Sequence, residues 1–246
     1  MIRSSTKRLR LCGVVVAVAA VTGVVGVVGV VGVVGVCSSA HGAVVTVPTD
    51  LNIGDHYRLA FVTNYTWYGY ETIDYYNTQL TNTANHINYA DPDVIALGAQ
   101  WYLLGSTGAS FARDNTGTNP SVSTGVPVYR LDGQRIADNN ADLWDGTLAV
   151  PLNLSPKGAA PPPVGTTYVW TGTQANGTGY ITLGGSNPNL GNYTSTANWV
   201  NAFTTSSSGS LYWLYGISEV LTVVPEPGSL VILSLALLPA TLHRRH

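Results

Sequence analysis

The run Tyr57-Arg58-Leu59-Ala60-Phe61-Val62-Thr63 decides how the chain is read. Its alternating, β-branched and aromatic pattern predicts a half-buried strand. After a loop at Asn64–Gly69, the positions Ile73, Tyr76, Leu80, Ala84 and Ile87 recur at helical spacing. Glu71 and Asp74 stand at the N-terminal end, where acids suit the helix dipole, so Thr72–His86 reads as one amphipathic helix. Asp91-Pro92 reads as the break after it. Beyond that point the strands are short: Trp101–Gly105, then a hairpin from Val126–Leu131 through the Asp132-Gly133 turn to Arg135–Ala137, then Tyr168–Gly172. Leu211–Val223 reads as the last strand, with Leu211, Trp213, Tyr215, Ile217, Leu221 and Val223 on one face. Glu219 shares that face, as a functional carboxylate or as the mark of a bulge or edge. Between these elements lie polar loops at Ser106–Gly125 and Gln174–Asn198, a surface excursion at Lys157–Gly165, an apolar island at Trp199–Phe203 and a flexible tip at Ser206–Ser210. The fold class is therefore α+β: a single β-rich domain over residues 43–223, with one main amphipathic helix and long loops.

Composition narrows the function. The 246 residues carry a formal net charge of −2, but six of the eleven basic residues sit in the two ends. Residues 43–223 keep five basic against twelve acidic side chains, a net charge near −7. Such a domain repels polyanions, so nucleic acid is excluded as a partner. The two cysteines, Cys12 and Cys37, precede the domain, which must hold itself together without disulfides or thiolate chemistry. Six Trp and fourteen Tyr can supply the core.

The ends read as addresses. Residues 1–10 are polar and basic, Gly13–Val36 are apolar apart from Thr22, and Cys37-Ser38-Ser39-Ala40-His41-Gly42-Ala43 offers small-residue cleavage sites. This is the layout of a secretory signal over residues 1–42. Its apolar stretch would span about 36 Å as a helix, so an uncleaved membrane anchor is the competing reading. At the other end, Pro225-Glu226-Pro227 is followed by an apolar run, Leu230–Leu242, and by His243-Arg244-Arg245-His246.

That tail, residues 224–246, resembles the PEP-CTERM sorting signal of bacterial exported proteins. Pro225, Glu226 and Pro227 match its motif, 230–242 its short transmembrane segment, and Arg244 and Arg245 its basic membrane stop. The resemblance implies processing by an exosortase, a membrane-bound precursor, and display in the cell envelope, on the outer surface or in an extracellular matrix rich in exopolysaccharide and biofilm. A plain C-terminal anchor would keep the membrane and lose the sorting enzyme. The domain itself resembles the endostatin-like branch of the C-type-lectin-like fold. The matching pieces are Ala60–Thr63 before the helix, Val126–Gly133, Val169-Trp170-Thr171-Gly172-Thr173 with Asn176-Gly177, and Leu211–Val223. The chain has neither the disulfides of that fold nor the Glu-Pro-Asn and Trp-Asn-Asp triplets of its sugar-binding members.

No zinc-spaced His/Cys cluster, serine-nucleophile elbow or phosphate loop occurs, and the domain has only His56 and His86. No catalytic residue is assigned, and the protein is expected not to be an enzyme. A secreted hydrolase would need two carboxylates across a cleft. Asp138, Asn140 and Asp142 alternate like the start of a calcium loop, or simply form a turn; calcium is the one cofactor they suggest. Trp67, Tyr68 and Tyr70, beside Tyr65, could stack on sugar rings or pack onto the domain. The expectation is a non-catalytic exported envelope or matrix protein; the alternative is a carbohydrate-binding module, with or without calcium.

Overall fold

The computed structural model describes residues 43–162 and 166–225. The leader, Glu226, Pro227, the apolar run of the tail, Arg244 and Arg245 lie outside the described residues. Pro225 is the last residue within them and is exposed.

The strand that opens the domain is β1, His56–Val62. The helix after it is α1, Ile73–Ala84, with Thr72 as its N-cap: the Thr72 hydroxyl accepts from the Tyr75 N–H. Such a cap contributes about 1 kcal/mol. The helix stops at Asn85, earlier than the apolar spacing suggests, and Ile87 is exposed. Asp91-Pro92 is a start, not a stop. Asp91 accepts from the Asp93 N–H and Pro92 opens a short helix, α2, Pro92–Ala96. Proline is favoured there because the first-turn N–H would have no partner anyway. Next come β2, Trp101–Leu103, and α3, Ala112–Asn115, inside the stretch read as loop. The hairpin forms as expected, with β3 at Val128–Arg130 and β4 at Arg135–Ala137. A fourth short helix, α4, runs over Asn140–Leu143. The remaining strands are β5, Tyr168–Trp170; β6, Asn189–Asn192; β7, Thr204–Thr205; β8, Trp213–Ser218; and β9, Leu221–Thr222.

These strands make one mostly β domain with few helices, ordered β4-β3-β1-β8-β5-β6-β7. The first and last long strands are antiparallel neighbours, with Ala60 opposite Ile217 and Val62 opposite Tyr215. β3 lies parallel to β1 and β5 parallel to β8; β2 pairs with β8 and β9 with β1. Among the described residues no helix is long and apolar enough to cross a membrane.

The sheet is covered on both faces, and this corrects the half-buried reading of β1. Leu59 and Phe61 pack with Tyr76 and Leu80 of α1 on one side, while Ala60 and Val62 pack with Tyr215, Ile217 and Leu152 on the other. Arg58 is buried too, and its guanidinium donates to the Ser218 carbonyl at 2.6 Å. Each buried Leu, Phe or Val contributes roughly 1.5–3 kcal/mol, so the domain is held by its core. The last strand breaks at Glu219, whose N–H donates to the Gln100 carbonyl while its carboxylate accepts from the Gln100 N–H. That break shifts the phase: Trp213, Tyr215 and Ile217 face one cluster, whereas Val223 joins the other. Glu219 is thus the edge feature rather than a buried functional carboxylate. The described part of the Lys157–Gly165 excursion, residues 157–162, is tied to the domain: Gly158 and Pro161 are buried, and the Lys157 ammonium donates to the Ile87 carbonyl.

Candidate functional site

The loop between β1 and α1 carries the site. Its main chain is pinned at close intervals. The Thr63 hydroxyl donates to the Tyr65 carbonyl at 2.7 Å. Trp67 and Tyr212 exchange backbone hydrogen bonds of 2.7 and 3.1 Å. The Tyr76 hydroxyl donates to the Tyr68 carbonyl, and Trp170 Nε1 donates to the Trp67 carbonyl. Gly69 donates to Ser208 and accepts from Gly184. It lies flat on the Trp170 ring, where an added Cβ would stand 2.8 Å from two ring carbons.

With the backbone fixed, the aromatic side chains are left over. Tyr65, Tyr68, Tyr70 and Tyr75 are all between 37% and 54% exposed. Trp67 is partly buried, and its Nε1 is turned inward without a partner among the described residues, so it presents carbon surface outward. The rings support one another. Tyr68 and Tyr70 stack at 5.1 Å, and Trp67 meets Tyr75 edge-on at 6.2 Å. Tyr65 touches both Trp67 and Tyr89. Among the described residues the tyrosine hydroxyls with a protein partner are those of Tyr57, Tyr76, Tyr129 and Tyr212. Those of Tyr65, Tyr68, Tyr70 and Tyr75 have no partner among the described residues.

Three hollows meet at Tyr65 and use Trp67, Tyr68 and Tyr75 between them, whereas Tyr70 lines none of the three. The largest, about 420 Å³, is lined by Tyr65, Trp67, Tyr68, Glu71, Tyr75 and Leu211. A second, about 230 Å³, lies between Tyr65, Trp67 and the amides and ring of Gln79, Asn82 and His86. The third, about 190 Å³, runs from Asn64 and Tyr65 to Pro162 and Trp213. Small-ligand pockets are roughly 300–1,000 Å³, so one ligand unit fits the first hollow and an extended ligand would use all three. Slight desolvation, then the neighbouring Tyr68, Glu71 and Tyr75, raise the Tyr70 phenol above its ordinary value.

The sequence pointed to Trp67, Tyr68 and Tyr70, and the structure brings all three to one loop. It also brings Tyr75, Gln79, Asn82 and His86 from α1 and its end. Tyr75 carried a signal: it lies off the Ile73–Tyr76–Leu80 stripe and so could not be core. Leu211, expected in the core face, is 49% exposed and lines the largest hollow.

Asp138, Asn140 and Asp142 serve a helix start instead of one shared centre. Asn139 Oδ1 accepts from the N–H groups of Ala141 and Asp142, capping α4. Asp142 Oδ2 accepts from Asp138 N–H, and Asp138 Oδ1 accepts from Arg135 at 2.8 Å. Asn140 is buried and turns away to Ser123, donating to its carbonyl and hydroxyl. Among the described residues no group of three or more His, Cys, Asp or Glu side chains is arranged to hold a metal ion. Each of the three aromatic hollows contains at most one carboxylate, and a polar groove beside α1 contains Asp74 alone.

No family model matches the chain, and no curated protein matches it.

Proposed function

We propose that this is an exported, non-catalytic bacterial envelope or matrix protein whose domain holds extracellular polysaccharide on the Tyr65–Tyr75 aromatic surface. The observation that carries the reading is a loop fixed at the backbone with its aromatic faces unused. Rigid aromatic surface lowers the ordering cost of binding, and flat apolar rings beside amide and hydroxyl groups suit the mixed faces of a sugar. Gln79 and Asn82 supply such polar groups next to the rings. Three hollows sharing Tyr65 favour a chain of sugar units over a single small molecule.

The C-type-lectin-like assignment belongs to this reading. It is supported by the order strand, helix, Trp-bearing strand, loops and final strand, and by the pairing of the first strand with the last. The sorting tail, with exosortase as its processing partner, rests on Pro225-Glu226-Pro227 and the segments after it. The chain leaves toward that tail from β9, beside His56, whereas the aromatic loop follows Val62 at the far end of β1. Seven strand residues put about 20 Å between these ends, so a tethered domain would present the rings away from its tether.

The domain should be retained on immobilised exopolysaccharide from its native host, and Tyr65→Ala and Trp67→Ala should release it. Equal retention of both variants and the parent, or no retention of the parent on any polysaccharide, would overturn the reading. Mass spectrometry of the surface-displayed protein should find residues 230–246 removed; an intact tail would contradict sorting by cleavage.

A further inference from the structure

The largest aromatic hollow has a charge as well as a shape. Trp67, Tyr68 and Tyr75 line it together with one carboxylate, Glu71. Glu71 is partly buried, and its own N–H is taken up by the Tyr76 hydroxyl. Among the described residues the ion pairs are Arg130–Asp132, Arg135–Asp50 and Arg135–Asp138, and none of the described cations pairs with Glu71. Asp74, three residues further along, adds a second negative charge in the neighbouring groove. Lys157 lies past the other end of α1, its ammonium held by the Ile87 carbonyl at 2.9 Å.

Ring faces carry negative electrostatic potential and attract an ammonium group within about 6 Å, and a carboxylate beside them adds a direct charge contact. The surrounding domain, near −7 overall, favours the same sign of ligand and disfavours uronic or sulfated chains. We propose that this hollow selects polysaccharides bearing free, protonated amines, with Glu71 as the specificity-determining residue and Trp67, Tyr68 and Tyr75 as the walls around the ammonium. The inference rests on the glycan reading above and narrows it to amino sugars that are not fully N-acetylated.

The test compares a soluble glucosamine oligomer with its fully N-acetylated counterpart of equal length, with a lysine oligomer as a control for charge alone. Calorimetric titration should show the free-amine oligomer binding roughly tenfold more tightly than the N-acetylated one. Glu71→Gln should erase that preference, bringing the affinity ratio of the two oligomers close to unity, and added salt should narrow the ratio in the parent. Equal affinity for the two oligomers, a preference that survives Glu71→Gln, or lysine-oligomer binding as tight as that of the amino sugar would overturn the inference. Binding of the N-acetylated form that Tyr65→Ala abolishes would, in the first two cases, leave the glycan reading standing. Failure of both oligomers and of native exopolysaccharide to bind would end both.

Discussion

Trp170 and Trp67 are joined by a hydrogen bond of 2.8 Å, yet they belong to different parts of the molecule. Trp170 sits on β5, fully buried, with Gly69 against its ring and Tyr212 edge-on to it at 4.9 Å. Trp67 sits on a loop whose backbone is equally well fixed, but its ring lies at the lip of two hollows. The two environments divide the aromatic content. Trp101, Trp144, Trp170, Trp199 and Trp213 are all 5% exposed or less, while Tyr65, Tyr68, Tyr70 and Tyr75 remain open. A set of rings that the core leaves uncovered, on a backbone held by the core, is what a binding surface requires.

Breaking the buried half should have the largest effect. Trp213→Ala empties the centre of the sheet, and chemical denaturation should show a loss of about 3–5 kcal/mol. Gly191→Ala comes next. A Cβ there would stand 1.9 Å from the Trp199 carbonyl oxygen, so the β6 backbone must move away, at a cost of about 1–3 kcal/mol in the same assay.

The hairpin gives a smaller, pH-dependent effect. Burial works against the Asp132 charge, but the two-pronged contact from Arg130 and the Gln134 N–H outweigh it, holding the carboxyl below its ordinary value of 3.8. A carboxyl lowered in the folded state contributes stability above the unfolded value and loses it as pH falls through the folded one. The thermal unfolding temperature should therefore fall on acidification below the usual carboxylate range. Asp132→Asn should flatten that slope and lower stability at neutral pH by about 1–2 kcal/mol.

The exposed half should register least in stability. Tyr68→Ala and Tyr70→Ala should unfold within about 0.5 kcal/mol of the parent. A large loss in either would mean that these rings are structural, and the division drawn here would fail.

The sheet centre was legible because its strands alternate or run apolar, as in Tyr57–Thr63 and Trp213–Ile217. The hairpin was legible because Asp132-Gly133 demands a turn, and Gly133 adopts a φ of 79°. β6 was not legible. Asn189-Leu190-Gly191-Asn192 has little strand propensity, and it is a strand because Trp170 pairs with Leu190 and the Trp199 carbonyl fits only against glycine. Phe203 shows the same limit: it closes an apolar run, yet its φ is 54° and its side chain is 83% exposed where the chain turns into β7. The aromatic loop could be seen as a cluster from its spacing. That Gln79, Asn82 and His86 would face it depends on how α1 lies against the sheet, which no local pattern encodes.

Trp67 offers the most direct measurement, because it is the one tryptophan of the six with solvent access, the other five being buried. Tryptophan emission, with a soluble quencher present, should be followed while the native exopolysaccharide is titrated in. A saturable blue shift and protection from quenching are expected, both lost in Trp67→Phe. Quenching that is unchanged at saturating polysaccharide, or a shift that persists in Trp67→Phe, would contradict it.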